Sequence, residues 1–240
     1  SFFFFARPSG RASSLDAQQA APAAGGQSAL RRFAPFSFLP IGPSETFMDQ
    51  ASDKSALRKS LRAERREHVA AQPASIKALL FHRPPAPLLA KIGPEAVIGL
   101  YHATADEAPA SGYARFFQEA GHQIALPYFA ANDADMTFRT FVDPHGESEL
   151  EAGPYGIRQP DSDAAELVPD VVFVPLIGFS ENLDRLGQGG GHYDRWLAAH
   201  PGRIAIGLAW DVQLVENLPT EPHDMMLDAV VTPTRIYGLN

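Results

Sequence analysis

Cysteine is absent from the 240-residue sequence, which excludes thiolate catalysis, zinc–thiolate sites and disulfides and is what a chain kept in a reducing cytoplasm can afford to lack. Also missing is any apolar run near the roughly 20 residues that a membrane-crossing helix needs. The body of the chain is therefore expected to work in the cytoplasm, away from a membrane. Positive charge is in deficit, with 20 Lys and Arg against 28 Asp and Glu, and the resulting net charge of -8 opposes non-specific binding to nucleic acid. What is present is the composition of an ordinary globular protein: 45% hydrophobic and 20% charged residues exclude a wholly disordered or collagen-like chain. The length suffices for one α/β domain with a substantial core.

Charge and composition change near residue 48. Residues 1–47 hold Arg7, Arg11, Arg31 and Arg32 against only Asp16 and Glu45, and are rich in Ala, Ser, Gly and Pro. The tract Ala21-Pro-Ala-Ala-Gly-Gly26 cannot offset its ordering entropy, so residues 1–47 are read as a disordered N-terminal extension. An Arg-rich, acid-poor segment can mimic a transit peptide, but the plainer reading is an extension without function, with Met48 as a possible start. Residues 48–240 then form a single catalytic domain.

That domain opens with a helix expected over Asp53 to His68, capped by Ser52 or Asp53, with Leu57 and Leu61 on its apolar face. Lys54, Arg58, Arg62 and Arg65 recur every three or four residues and so share one stripe, for which a solvated face is the usual meaning. A further helical stretch is expected around Ile76 to Leu80, then a Pro-rich loop at Arg83 to Pro87. Strands are expected at Ala96–Tyr101, Gln123–Leu126, Met136–Val142, Val171–Pro175, Ile204–Trp210 and Ala229–Thr232, with helices at Gly112–Ala120 and Tyr193–His200. Asp143 to Pro169 reads as loop-rich, and no internal repeat is found. Strands alternating with helices predict an α/β fold: a three-layer, Rossmann-like, mostly parallel sheet with helices on both faces and ligands beyond the carboxyl ends of the strands.

Gly187-Gln-Gly-Gly-Gly191 falls at such an end, between a buried strand and a helix, where bare backbone and helix N-terminal amides can approach an anion. It matches neither common phosphate loop, since position 192 is His and no Gly-Lys-Ser/Thr follows. Arg185 adds a forked cation suited to phosphate. Asp194 can hold a divalent cation or cap the helix, and Asp224, in Pro219-Thr-Glu-Pro-His-Asp224, is either a second metal carboxylate or an ordinary turn residue. Glu107 lies in a loop on the same sheet edge.

Val174-Pro175, Phe179 and Arg185-Leu-Gly-Gln-Gly-Gly-Gly-His-Tyr-Asp-Arg195 together resemble the signature of the 5-formyltetrahydrofolate cyclo-ligases, also called methenyltetrahydrofolate synthetases. Lys54-Ser-Ala-Leu-Arg58 is similar to the family's amino-terminal motif, and Pro222-His-Asp224 with Asp228-Ala-Val-Val-Thr232 to its carboxyl-terminal one. The resemblance implies ATP- and Mg²⁺-dependent conversion of 5-formyltetrahydrofolate to 5,10-methenyltetrahydrofolate, with ADP and phosphate as the other products, by a monomer. It assigns ATP to Lys54, Arg58, Arg185, Leu186, Gly187, Gln188, Gly189, Gly190, Gly191, His192 and Tyr193, and Mg²⁺ to Asp194 and Asp224. The folate falls to His102, Glu107 and the loop from Gln188 to His192, with Arg185, Tyr193 and Asp194 carrying the catalysis. Three positions depart from the common pattern: Ser180 where Asp is frequent, Leu183 where Gly is, and His192 where an aromatic hydroxyl is. Two other readings compete: a sugar-phosphate isomerase or deaminase sharing such a sheet, and a non-catalytic folate- or nucleotide-binding homologue.

Overall fold

The structure is a computed structural model that describes residues 45–239 except residue 78, with side chains from Asp53 onward. Apart from 45–47, the extension expected at 1–47 lies outside the described residues. In chain order the elements are α1 Glu45–Ala71, α2 Ala74–Lys77, α3 Ala86–Leu89, β1 Ile98–Gly99, α4 Ser111–Glu119, β2 Ile124–Tyr128 and β3 Thr137–Thr140. There follow β4 Leu150–Ala152, β5 Arg158–Pro160, β6 Glu166–Leu167, β7 Val171–Pro175, β8 Gly178–Phe179 and β9 Arg185–Leu186. The chain ends with α5 His192–Ala199, β10 Ile204–Leu208, β11 Ala229–Val231 and β12 Ile236–Tyr237.

An eight-stranded sheet runs β12-β11-β10-β7-β1-β2-β3-β6. Its central strands β11, β10, β7, β1 and β2 pair in parallel, and β12, β3 and β6 are antiparallel additions at the edges. A central parallel strand is covered on both faces, which is why β7 reads as the unbroken apolar run Val171-Val-Phe-Val174. Val171 and Phe173 pack with Tyr113 and Phe117 of α4, whereas Val172 and Val174 pack with Trp196 and Leu197 of α5. Helices thus cover both faces, as the alternating pattern predicts. Among the described residues no helix is long and apolar enough to cross a membrane.

The connection from β1 leads to β2 on one side, and the chain then returns past β1 to place β7 on the other. Such a switch point leaves a crevice at the carboxyl ends of the two strands, because their outgoing loops diverge. Tyr101 to Glu107 follow β1 into that crevice, and Pro175 and the segment leading to the glycine loop follow β7.

Several expectations are corrected. Helix α1 begins at Glu45, so Ser52 and Asp53 are interior residues and neither caps it. Its cationic stripe is not a solvated face: Lys54 and Arg65 are each only 5% exposed, because this side of the helix lies against the crevice. The helical stretch expected around Ile76 to Leu80 is found at Ala74–Lys77, and part of the Pro-rich loop is α3. The strand expected over Ala96–Tyr101 is regular only at Ile98–Gly99. The loop-rich stretch after Asp143 contains the β4–β5 hairpin and β6, strands of two or three residues that are too short to show a period and are held by backbone pairing.

Candidate active site

One face of α1 supplies a line of cations to the crevice. Arg58 Nε donates to the Gly187 carbonyl at 2.9 Å, and Arg62 donates to Gln188 Oε1 at 2.7 Å and to its carbonyl at 3.2 Å. The helix thereby pins the first half of the glycine loop. Leu61 on the adjacent face fixes the helix by packing on Ile177 and Leu186 beneath that loop. Within the loop Gly189 has φ +108° and Gly191, immediately before α5, has φ +63°. The first is closed to residues with a Cβ, so the loop requires glycine for its path and not merely for flexibility.

Three ion pairs, made by two buried cations, frame the crevice. Arg185, with its side chain 4% exposed, donates to Asp194 Oδ1 at 2.6 Å, and the Met225 amide donates to the same oxygen at 3.1 Å. Arg185 Nε is buried and has no partner among the described residues, which leaves a guanidinium with donor capacity to spare. On the other side Lys54 Nζ donates to Glu221 Oε2 at 2.6 Å and to Asp224 Oδ2 at 2.7 Å. Burial disfavours the Asp224 carboxylate, but Lys54 and the Glu221 amide outweigh it and hold the pKa below the usual carboxylate value. The Lys54 ammonium is likewise opposed by burial and raised by the same two carboxylates.

The part of the crevice beside the loop after β1 differs in character. Glu107 is buried, accepts from the Thr104 amide at 2.9 Å and from Gln188 Nε2 at 3.3 Å, and has no cation within salt-bridge distance among the described residues. The Tyr193 hydroxyl is pushed well above the usual phenol range by burial and by Glu107, against the opposing pull of Arg185, so it remains protonated through neutral pH. His192 packs against Phe129 and Tyr155, with ring centroids 4.8 and 5.3 Å away. Burial and then Arg195 lower its pKa, which leaves a neutral ring on an aromatic wall near pH 7. His102 bonds Glu147 at 3.2 Å, and Arg158 holds the same carboxylate at 3.0 Å. Together these groups enclose a cavity of about 600 Å³, lined by every residue expected to bind a ligand, from Lys54 to Asp224.

The model of the 5-formyltetrahydrofolate cyclo-ligase family matches residues 50–233. The chain belongs to this family. The Escherichia coli K12 5-formyltetrahydrofolate cyclo-ligase is 39% identical over 124 residues, which are 49% of this chain and 67% of that protein. The cyclo-ligase of Mycolicibacterium smegmatis is 32% identical over 123 residues, covering 49% of this chain and 63% of the relative. Among solved structures, the Aquifex aeolicus 5,10-methenyltetrahydrofolate synthetase has the same fold, with a TM-score of 0.61 at 24% identity over 78% of this chain and 93% of that one. The family is one of ligases, so the isomerase and deaminase reading is set aside.

Three features of this cyclo-ligase site were not read from sequence. Arg62, which holds Gln188, belongs to the same stripe as Lys54 and Arg58, so spacing alone could have included it. Glu221 shares Lys54 with Asp224, and nothing marks it in sequence beyond its place three residues upstream. Phe129 and Tyr155 lie in separate loops, and only folding brings them to His192. For a divalent cation the relevant donors are oxygens that already converge on a shared positive charge. Glu221, His223 and Asp224 offer ligand atoms within 4.8 Å of one another, and the two carboxylates supply the oxygens a hard cation takes, although Lys54 now holds both of them. Asp194, expected as the companion ligand, lies on the same cavity and is engaged by Arg185.

Proposed function

We propose that the protein uses ATP and Mg²⁺ to cyclise 5-formyltetrahydrofolate to 5,10-methenyltetrahydrofolate, releasing ADP and phosphate. The observation that carries this reading is that one switch-point cavity combines a cation-lined glycine loop with a buried, cation-free Glu107, which Gln188 of the loop contacts. Polyphosphate is matched by the first and the amino-pyrimidine donors of a pterin by the second.

In this mechanism Lys54, Arg58, Arg185 and the loop from Leu186 to Tyr193 bind the nucleotide. The formyl oxygen takes the terminal phosphoryl group as ADP leaves. N10 then attacks the activated carbon and gives up its proton, and the C–O bond breaks to release phosphate, which carries that proton away, as the ring closes. Arg185 faces the charge that develops on the transferred group. Tyr193, held as a neutral phenol, can donate a hydrogen bond but is not a base at neutral pH. Glu107, His102 and Gln188 to His192 orient the folate against the loop, and this positioning supplies much of the rate. Asp194 and Asp224, with Glu221 beside the latter, would hold Mg²⁺, which neutralises phosphate charge when bound.

The test is formation of methenyltetrahydrofolate, followed by absorbance, from 5-formyltetrahydrofolate with and without MgATP. Turnover only with MgATP is expected, and its absence would remove the reading, leaving a binding homologue. Asp194→Asn keeps an oxygen for the Met225 amide and for Arg185, so the fold should persist while turnover falls by about 100-fold. Unchanged melting with near-normal activity at limiting Mg²⁺ would sink the role given to Asp194.

A further inference from the structure

The two carboxylates expected to hold Mg²⁺ are each engaged by a cation expected to hold phosphate. Asp194 carries Arg185 at 2.6 Å, and Asp224 carries Lys54 at 2.7 Å, with Glu221 on the same ammonium at 2.6 Å. The two arrangements differ in what the cation has left to give. Arg185 keeps a buried Nε with no partner among the described residues, so it has a donor for an anion without leaving Asp194. Lys54 is clamped by two carboxylates, and its side chain is only 6% exposed while theirs are 21% and 20% exposed. The Glu221 amide donates to Asp224 Oδ2 at 2.7 Å, the same oxygen that accepts from Lys54, which ties the two acidic residues into one unit around the ammonium.

The ammonium therefore stands where a cation shared by Glu221 and Asp224 would stand, and its charge opposes the arrival of a second cation there. Lys54 comes from α1 and the carboxylates from the loop before β11, and all three line the same cavity as the glycine loop. The flexible four-carbon stem of a lysine lets its ammonium turn from a carboxylate to a phosphate in such a cavity. Resting on the function proposed above, we infer that Lys54 closes the Glu221–Asp224 pair to a divalent cation until a polyphosphate draws the ammonium away. Metal then enters with the nucleotide and not ahead of it. Glu221 is a positioning residue in this exchange, because it supplies the second contact that keeps the ammonium on Asp224. By linkage, whatever takes Lys54 off the pair tightens the metal, and the metal tightens it by the same factor.

The experiment measures binding of Mn²⁺, a paramagnetic substitute for Mg²⁺, to the nucleotide-free full chain by loss of the free-ion spin resonance signal. Lys54→Met should bind Mn²⁺ about tenfold tighter than wild type, because the ion then meets two carboxylates whose charge nothing offsets. Lys54→Arg keeps the positive charge and should bind as weakly as wild type. Adding Asp224→Asn to Lys54→Met should abolish the gain, which assigns the ion to this pair and not to Asp194. Mn²⁺ should also raise the melting temperature of Lys54→Met more than that of wild type. Equal affinity in wild type and Lys54→Met, an equal gain in Lys54→Arg, or a gain that survives Asp224→Asn would each overturn the inference. Lys54→Gln carries the same comparison should the methionine variant not fold. No nucleotide or folate is present in these titrations, so their outcome separates from that of the proposed function. Tighter Mn²⁺ binding by Lys54→Met beside a wild type that turns nothing over keeps the guarding role and removes the function, whereas MgATP-dependent turnover without any tightening removes the guarding role alone.

Discussion

Lys54 is a cation held almost out of water between two carboxylates, and removing it strands Glu221 and Asp224 in each other's field. At neutral pH Lys54→Met should cost about 1–2 kcal/mol, less than breaking a fully buried pair because both carboxylates keep some contact with solvent. The sign with pH follows from the two shifts. Asp224 has a folded pKa below the ordinary aspartate value of 3.8, so its contribution is complete above that value and is lost as pH falls through the lower folded one. Lys54 has a folded pKa above 10.5, so its contribution is complete below that value and is lost as pH rises through the higher folded one. Denaturant titrations should therefore show the gap between variant and wild type narrowing below about pH 3.8. A gap that is constant from pH 7 to pH 3 would mean that Lys54 acts by packing its stem. At this scale the chain discloses the cations, since Lys54 and Arg58 share a helical spacing. It does not disclose Glu221, whose partner is 167 positions away.

The β8–β9 hairpin shows why a local pattern can be legible while its physical reason is not. Leu183, where the family often has Gly, has φ +70°, a left-handed backbone that a branched side chain adopts only under strain. The turn is held by the Leu183 amide on Ser180 O at 3.0 Å and by Ser180 Oγ donating to Asp184 at 2.8 Å, while the leucine side chain packs on the cluster beneath α5. Packing therefore offsets strain in the native chain. Truncation separates the two: Leu183→Gly should be more stable than Leu183→Ala by about 1 kcal/mol, measured by chemical denaturation, although Gly is ordinarily the weaker residue within an element. Ala proving the better replacement would show that the backbone relaxes out of the left-handed region. Helix α1 teaches the complementary lesson. Its existence followed from periodicity, but burial of its charged stripe followed from the crevice it lies against.

Across the whole molecule, the residues brought to the site come from α1, the loop after β1, the glycine loop and the loop before β11, which the parallel sheet gathers at one edge. The matched family region begins at residue 50 and the described helix at Glu45, so a chain starting at Met48 should keep its turnover and melting temperature. A drop of more than a few degrees on truncation would assign residues 1–47 a part in the fold, given that about 1 kcal/mol moves a domain of this size by roughly 2–4 °C.

The order and type of the main elements were set by the sequence alone, because β7, β10 and β11 are apolar runs of strand length and α4 and α5 carry apolar residues at helical spacing. So was the glycine loop, whose composition is a local property. Which groups meet across the crevice was decided only by tertiary structure: the Lys54 pairing with Glu221 and Asp224, and the aromatic wall of Phe129, Tyr155 and His192. Each joins segments far apart in the chain. Periodicity reports which face of an element is apolar, but the charges and rings opposite that face depend on strand order, and strand order is fixed by the packing of the whole sheet.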